Sequence, residues 1–93
     1  MKVLFSQAAR DDIASIHDYI HPLNPNAAAR VVLAIQTSTN RLGSFPNSGR
    51  LGGVERTREI IVPRLPYIVA YCIRPDFVEV LAVFHAAENK PRG

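Results

Sequence analysis

The sequence contains one cysteine, Cys72, no tryptophan and no long apolar run. A single thiol cannot form an internal disulfide, which is typical of a protein from a reducing cytoplasm. No apolar run reaches the ~18–20 residues of a membrane-spanning helix. The start of the chain, MKVLFSQAARDD, also lacks the apolar core of ~7–15 residues that a signal peptide needs. We therefore expect a cytoplasmic protein with no membrane partner.

The motifs that commonly hold nucleotides or metals are missing as well. The sequence has no phosphate-cradling glycine loop, no CxxC pair and no HExxH. His17 and His21 have the i, i+4 spacing that can chelate a metal on a helix, but no third ligand is near them in sequence, so two solvated histidines are the simpler interpretation. Cys72 has no neighbouring histidine and is expected to be a small buried residue. We predict neither a cofactor nor a metal.

The length and charge indicate one basic domain. The 93 residues, 47% hydrophobic and 20% charged, are expected to fold as a single domain over residues 1–93. Eleven cations against eight anions give a net charge of +3, and nine of the cations are arginine, whose planar guanidinium suits carboxylates and phosphates. The excess favours an acidic partner, either nucleic acid or protein. The same charge is also ordinary for the solubility of a small domain.

Two helices are predicted in the first half of the chain. Ser6 is placed as the N-cap of the first helix, and Pro22 would end it because proline cannot continue a helix. Asn24 as N-cap and Pro25 at the first helical position start the second helix. Gly43 would stop it in a left-handed conformation. Two helices joined by so short a link form an antiparallel hairpin.

Three strands are predicted after the helices. Residues 44–53, SFPNSGRLGG, have the composition of a loop. Residues 57–62, 67–73 and 77–84 are then rich in β-branched and aromatic residues, and short turns between them indicate an antiparallel meander. With residues 2–5 as an edge strand, the order is β-α-α-β-β-β. We predict an α+β fold in which an N-terminal helical hairpin packs on one face of a small, mainly antiparallel sheet.

Strict alternation divides the last strand between two faces of that sheet. One face would hold Val78, Val80, Ala82 and Phe84, and the other Glu79, Leu81, Val83 and His85. The middle strand, residues 67–73, is apolar on both faces. We therefore expect both faces to be covered, one of them by the helices. A partner chain is one hypothesis for the cover of the other.

The second half of the chain carries a cluster of cations. Five arginines fall within twenty-five residues, offset by Glu55 and Glu59; they are Arg50, Arg56, Arg58, Arg64 and Arg74. They indicate either a basic surface for phosphates or an acidic peptide, or a solvated rim in which neighbours such as Arg58 and Glu59 form routine ion pairs. His85, at the end of the last strand, could act as a general acid or base, or simply hydrogen-bond to the backbone.

Four segments of the sequence resemble the RelE/ParE toxin superfamily of bacterial type II toxin–antitoxin systems. They are FSQAARDDIASIHDYI, NPNAAARVVLAI, SGRLGGVERTREIIVPRLPYIVAYCI and VEVLAVFHAAEN. The most specific pieces are Arg58-Glu-Ile-Ile-Val-Pro and Leu65-Pro-Tyr-Ile-Val-Ala-Tyr71. The resemblance covers about residues 3–89 and implies the β-α-α-β-β-β order derived above.

The superfamily has two main activities, and the resemblance implies a choice between them. RelE-like members are ribosome-dependent endoribonucleases that cut mRNA, whereas ParE-like members poison DNA gyrase. The ribonuclease branch carries lysines where this chain has Glu59 and Ile61, and an arginine where it has Ile68. It also carries cationic or aromatic residues at the positions of Ala86, Ala87 and Glu88. Because 2′-hydroxyl attack on a phosphodiester needs positioned cations, these departures favour the ParE-like branch, a protein-binding inhibitor rather than an enzyme.

The resemblance also implies partners and site residues. The expected partner is a small cognate antitoxin whose flexible, acidic segment binds the toxin, with operator DNA bound only through the complex and plasmid stabilisation as the role of the system. DNA gyrase is the expected target. The residues expected to bind antitoxin or target are Arg50, Arg56, Arg58, Glu59, Arg64, Arg74 and His85. Two alternatives stay open: a RelE-like mRNA endoribonuclease using Arg58, Arg64 and His85, and a non-toxic relative that only binds antitoxin or regulates its operon.

Overall fold

Two helices lie on one face of a five-stranded mixed sheet in the computed structural model, which describes residues 1–87. The elements are β1 (Lys2–Phe5), α1 (Gln7–Ile20), α2 (Pro25–Asn40), a 3₁₀ turn (Arg41–Gly43), β2 (Arg50–Leu51), β3 (Arg58–Ile61), β4 (Tyr67–Ile73) and β5 (Phe77–His85). The strand order is β1-β5-β4-β3-β2, with β1 parallel to β5 and every other pair antiparallel. The predicted α+β class is confirmed. Neither described helix has the length and hydrophobicity to cross a bilayer.

The predicted helix starts are confirmed by their capping bonds. The Ser6 hydroxyl accepts a hydrogen bond from the backbone N–H of Ala9 at 3.1 Å, and the Asn24 side-chain oxygen accepts one from Ala27 at 3.0 Å. Pro25 occupies the first turn of α2, where its missing N–H leaves no bond unmade. Both helix starts could be predicted because each capping bond joins residues only three positions apart in sequence.

The predicted left-handed stop at Gly43 is wrong. No glycine of residues 1–87 has a positive φ, and α2 ends at Asn40 by tightening into the 3₁₀ turn. Gly43 is required for another reason, the close approach of β1: a Cβ there would lie 2.5 Å from the carbonyl oxygen of Met1. The Met1 amino group donates to the Gly43 carbonyl at 2.9 Å.

The segment predicted as a loop, residues 44–53, contains a short strand. Arg50 pairs with Glu59, and Leu51 with Arg58, so β2 forms the outer edge of the sheet beside β3. Two residues are too few for an alternating pattern, and only the partner strand makes them β. β3 is one residue shorter at each end than predicted, and β5 extends through His85.

A β-bulge overturns the predicted faces of β5. Ala70 pairs with Ala82 but Tyr71 pairs with Val80, so Leu81 has no opposite residue on β4. Beyond the bulge the alternation is inverted. Val83 packs in the core beneath the helices, whereas Ala82 and Phe84, predicted to lie with Val80, turn to the other face.

The sheet buries residues on both faces. The core between sheet and helices comprises Ala9, Val31, Ile35, Val62, Val69, Val80 and Val83. On the opposite face Ile68, Ala70 and Phe84 form a smaller cluster and are already buried in the isolated chain. These three side chains are therefore buried without a partner chain.

Candidate functional site

Glu59, one of the predicted partner-binding residues, is a buried carboxylate at the sheet edge. Only 6% of its surface is exposed. The Arg50 guanidinium lies 3.6 Å from its Oε1 and is itself largely exposed. The ion pair therefore joins β2 to β3, and its cation is Arg50 rather than the sequence neighbour Arg58. Burying a carboxylate without such a partner is unfavourable, so Arg50 serves the fold as well as the surface charge.

Arg58 and Tyr71 hold the segment that precedes β2. Arg58 Nη1 donates to the Gly49 carbonyl at 2.8 Å. The fully buried Tyr71 hydroxyl donates to the Pro46 carbonyl at 2.7 Å and accepts from the Gly49 N–H at 2.9 Å. A Cβ at residue 49 would lie 2.6 Å from that hydroxyl, so only glycine fits. The Arg58 guanidinium is thus partly committed to the backbone, and Tyr71 is a structural residue that the sequence alone did not single out.

Two of the predicted arginines occupy exposed turns with unusual backbone geometry. Arg56 has φ 65° and Arg64 has φ 66°, in the left-handed region that favours glycine. Arg56 lies in the turn closed by the Thr57 N–H bonded to the Val54 carbonyl. Arg64 lies in the turn between β3 and β4. Both side chains are exposed, so both arginines present their charge at the tip of a turn.

Arg74 forms the tightest ion pair among the described residues. Its Nε and Nη2 lie 3.0 and 2.7 Å from Glu79 Oε1. The Cys72 thiol lies 3.9 Å from the same oxygen. Burial raises the pKa of the Cys72 thiol; the Arg74 charge opposes that effect and the Glu79 carboxylate adds to it. Cys72 is a small buried residue, as predicted.

His85 packs against Tyr67 and bonds to the backbone. The two rings meet edge to face, with centroids 5.6 Å apart. The Nδ1 atom of His85 accepts the backbone N–H of Ala87 at 3.0 Å. This is the backbone-bonded arrangement that the sequence allowed as the simpler interpretation.

The predicted residues are divided between the two ends of the sheet. Arg58 lies opposite Tyr71 and His85 lies opposite Tyr67. These two β4 positions are four residues apart, which is about 13 Å along a strand. Arg64 belongs to the His85 end, where the Ala86 N–H donates to the Pro66 carbonyl at 2.7 Å. The members of the list at the Arg58 end are Arg50, Arg56, Glu59 and Arg74.

The last residues to be placed are His17 and His21, which have the spacing of a chelating pair, and the tail. The rings of His17 and His21 are 5.2 Å apart on α1, and residues 1–87 contain no group of three side chains that could hold a metal ion. Glu88, one of the positions where the ribonuclease branch carries a cationic or aromatic residue, lies outside the described residues.

A groove at the sheet edge adds residues that sequence reasoning missed. It has a volume of about 340 Å³ and lies between the end of α2 and the outer edge of β3. Its lining includes Arg50 and Glu59 from the predicted list, together with Ser38, Arg41, Ile61 and Pro63. Ser38 and Ile61 are more than twenty positions apart in sequence, and only the packing of α2 beside β3 brings them together.

Comparison with known proteins identifies a matching family and toxins with similar sequences. The family described as ParE toxin of type II toxin-antitoxin system, parDE, matches residues 3–90. Putative toxin Y4kP of Sinorhizobium fredii is 45% identical over 74 residues, 80% of this chain and 76% of that protein. Toxin RelE2 of Caulobacter vibrioides is 31% identical over 86 residues, 92% of this chain and 96% of that protein.

Two solved structures share the fold. A chain of the chromosomal ParDE toxin–antitoxin system from P. aeruginosa superposes with a TM-score of 0.83, covering 91% of this chain and 95% of that one at 20% identity. A chain of the RelBE2 toxin–antitoxin complex from Mycobacterium tuberculosis superposes with a TM-score of 0.57, covering 94% of this chain and 92% of that one at 25% identity.

Proposed function

Because the chain belongs to the ParE toxin family and is the toxin of a type II toxin–antitoxin system, we propose that it inhibits DNA gyrase by binding when it is free of its antitoxin. The effect is stoichiometric, since inhibition by binding needs one toxin for each enzyme engaged. The chain acts in the bacterial cytoplasm, where gyrase and its DNA are found.

The charge on β3 is the observation that carries the proposal. Cleaving RNA by 2′-hydroxyl attack creates negative charge that positioned cations must stabilise, and one lost donor costs roughly 2.7–4 kcal/mol. The lysine positions of the ribonuclease branch hold Glu59 and Ile61 here. Glu59 is a buried carboxylate paired with Arg50. Glu59 and Ile61 therefore supply no cation at these two positions, which supports protein binding over phosphodiester chemistry.

The antitoxin partner is supported by the solved structures with the same fold. One comes from a ParDE toxin–antitoxin system and another is a RelBE2 toxin–antitoxin complex. For this chain we propose a small antitoxin with an acidic binding segment, which would neutralise part of the arginine charge. The complex, rather than the lone toxin, would bind operator DNA, and the system would stabilise a plasmid that carries it.

Plasmid topology in cells that express the toxin tests the proposal. Induction without antitoxin in a bacterial host is expected to leave a reporter plasmid relaxed within minutes, because gyrase no longer introduces negative supercoils. Chloroquine gel electrophoresis measures the distribution of topoisomers. Co-expression of the antitoxin is the control and restores supercoiling. A plasmid that stays fully supercoiled while growth stops would contradict gyrase inhibition.

A RelE-like endoribonuclease is the second candidate, favoured by the 31% identity to Toxin RelE2 and by Arg64 and His85 at one end of the sheet. Toeprinting on programmed ribosomes separates the two functions. We expect no cut in the A-site codon at toxin concentrations that arrest growth. Normal growth on induction would instead support the third possibility, a non-toxic binding module.

A further inference from the structure

We propose that His17 and His21 form a two-histidine site for a divalent transition metal ion at the end of α1. His17 lies in the last turn of that helix and His21 is its C-cap residue. Side chains four positions apart share one face of a helix, one turn from each other. The His17 side chain is 40% exposed and His21 is exposed as well, so an ion in solution can reach both rings.

The separation of the two rings fits a chelate. A zinc–nitrogen bond of about 2.0–2.1 Å places the centre of each imidazole about 3.2 Å from the metal, and a tetrahedral angle then separates the two centres by about 5 Å. The centroids of His17 and His21 are 5.2 Å apart, and their planes are tilted by 35°. The helix therefore already holds the rings at the distance that one bound ion requires, without a change in the backbone.

Asp18 fixes which nitrogen of His17 is available. Nδ1 of that ring lies 3.3 Å from Oδ1 of the carboxylate. Because an ionised carboxylate only accepts hydrogen bonds, Nδ1 carries the proton and donates it to Asp18. Nε2 is then left with a free lone pair. A carboxylate behind the ligating ring is the usual second partner of a metal-bound histidine, since it sets the tautomer and makes the ligand more basic.

The ligands of the site select the class of ion. Within residues 1–87 the ring of His21 contacts His17 and forms no hydrogen bond that would occupy its nitrogens. That part of the chain places no third metal-binding side chain beside the pair, so water completes the coordination. Imidazole nitrogen suits zinc, nickel and copper, whereas magnesium and calcium prefer oxygen ligands. We therefore assign the site to this late transition-metal class, with Zn²⁺ as the ion that favours a tetrahedron.

The charges around the pair also favour a cation. The C-terminal end of a helix carries partial negative charge on its last carbonyl groups, and Asp18 adds a full negative charge beside His17. Arg10 lines the same groove as His17. It lies two turns earlier, about 10 Å along the helix axis, where salt at physiological concentration screens most of its repulsion.

Zinc binding to the full-length protein without a polyhistidine tag tests the proposal. Isothermal titration with ZnCl₂ is expected to show one ion for each chain. His17→Gln and His21→Gln should each raise Kd at least tenfold, because losing a ligand costs no less than losing a partner behind it. His85→Gln makes the same change at the third histidine of the chain, and Kd should stay within about twofold. Wild-type affinity in both helix variants, or no saturable binding up to about 1 mM Zn²⁺, would overturn the proposal.

A double variant separates chelation from the number of histidines. His21→Gln combined with Tyr19→His keeps three histidines, and Tyr19 is an exposed position on the same helix. Residues two positions apart do not face each other on a helix, so zinc affinity should remain as weak as in His21→Gln alone. Recovery of wild-type affinity would contradict a site that depends on the spacing.

Thermal unfolding gives an independent readout. An ion that binds the folded chain and not the unfolded chain raises the melting temperature as its concentration increases. Zn²⁺ should therefore raise the Tm of the wild-type protein and of His85→Gln, and leave that of His17→Gln unchanged. An equal rise in all three would overturn the proposal. Neither measurement involves gyrase or antitoxin, so failure of the proposed function would leave these results intact.

Discussion

At the scale of single residues, Tyr71 has the largest structural role in the sheet edge. Its buried hydroxyl satisfies the Pro46 carbonyl and the Gly49 N–H at once. Both groups belong to the segment that leads into β2, which carries Arg50. The position of Arg50 and the burial of Glu59 therefore depend on a tyrosine that is itself fully buried.

Replacing Tyr71 with phenylalanine should destabilise the fold. The change removes the hydroxyl and leaves two buried backbone groups without their partner, which typically costs about 1–3 kcal/mol. Urea denaturation monitored by circular dichroism measures the free energy of unfolding. Tyr19→Phe, at an exposed position on α1, makes the same change and should leave the free energy within about 0.5 kcal/mol. Equal stability of the two variants would refute the role assigned to Tyr71.

At the scale of elements, the features that depend on nearby sequence were predictable. Ser6 and Asn24 cap helices because a cap is decided within four residues, and the turn residues located β3, β4 and β5. The features set by distant contacts were not. Gly43 is needed for the approach of Met1, Leu81 bulges because of how β4 pairs, and β2 exists only through β3.

The sequence predicted which residues give the candidate site its charge, but not how the structure arranges them. The arginine-rich half of the chain is visible in the sequence, and its five arginines indicate either a basic surface or a solvated rim. The structure divides the predicted residues between the two ends of the sheet, ties Arg58 to a backbone carbonyl and pairs Arg50 with Glu59. Arg41 lines the groove beside β3. It was not among the predicted site residues because it belongs to the helical half of the sequence.

Arg56 and Arg64, whose backbones are in the left-handed region, allow a test of how each turn affects the stability of the fold. A non-glycine residue in this conformation costs roughly 1–2 kcal/mol, offset by the greater freedom of glycine in the unfolded chain. Arg64→Gly should therefore leave the free energy of unfolding unchanged or raise it by up to about 1 kcal/mol. Arg30→Gly in α2 should lower it by about 1 kcal/mol. Thermal and urea melts measure both variants.

A fall of more than 1 kcal/mol in Arg64→Gly would show that this side chain stabilises the fold. The expected result would show that the arginine occupies an unfavourable conformation without any gain in stability. That result would support the prediction that Arg64 uses its exposed charge to bind a partner.

At the scale of the whole molecule, the chain is a small toxin with separable surfaces. Within residues 1–87 the cations are spread over both ends of the sheet and along α2 instead of converging on one reaction centre. Such a distribution suits recognition of an acidic protein over a wide area.

A supercoiling assay with purified components tests the central claim most directly. Gyrase, relaxed plasmid and ATP are incubated with increasing concentrations of the toxin, and the supercoiled product is measured by gel electrophoresis. We expect the amount of supercoiled product to fall as the toxin concentration approaches the enzyme concentration. Adding antitoxin equimolar to the toxin is expected to restore it. Undiminished supercoiling at a large excess of toxin that arrests growth in cells would contradict the claim.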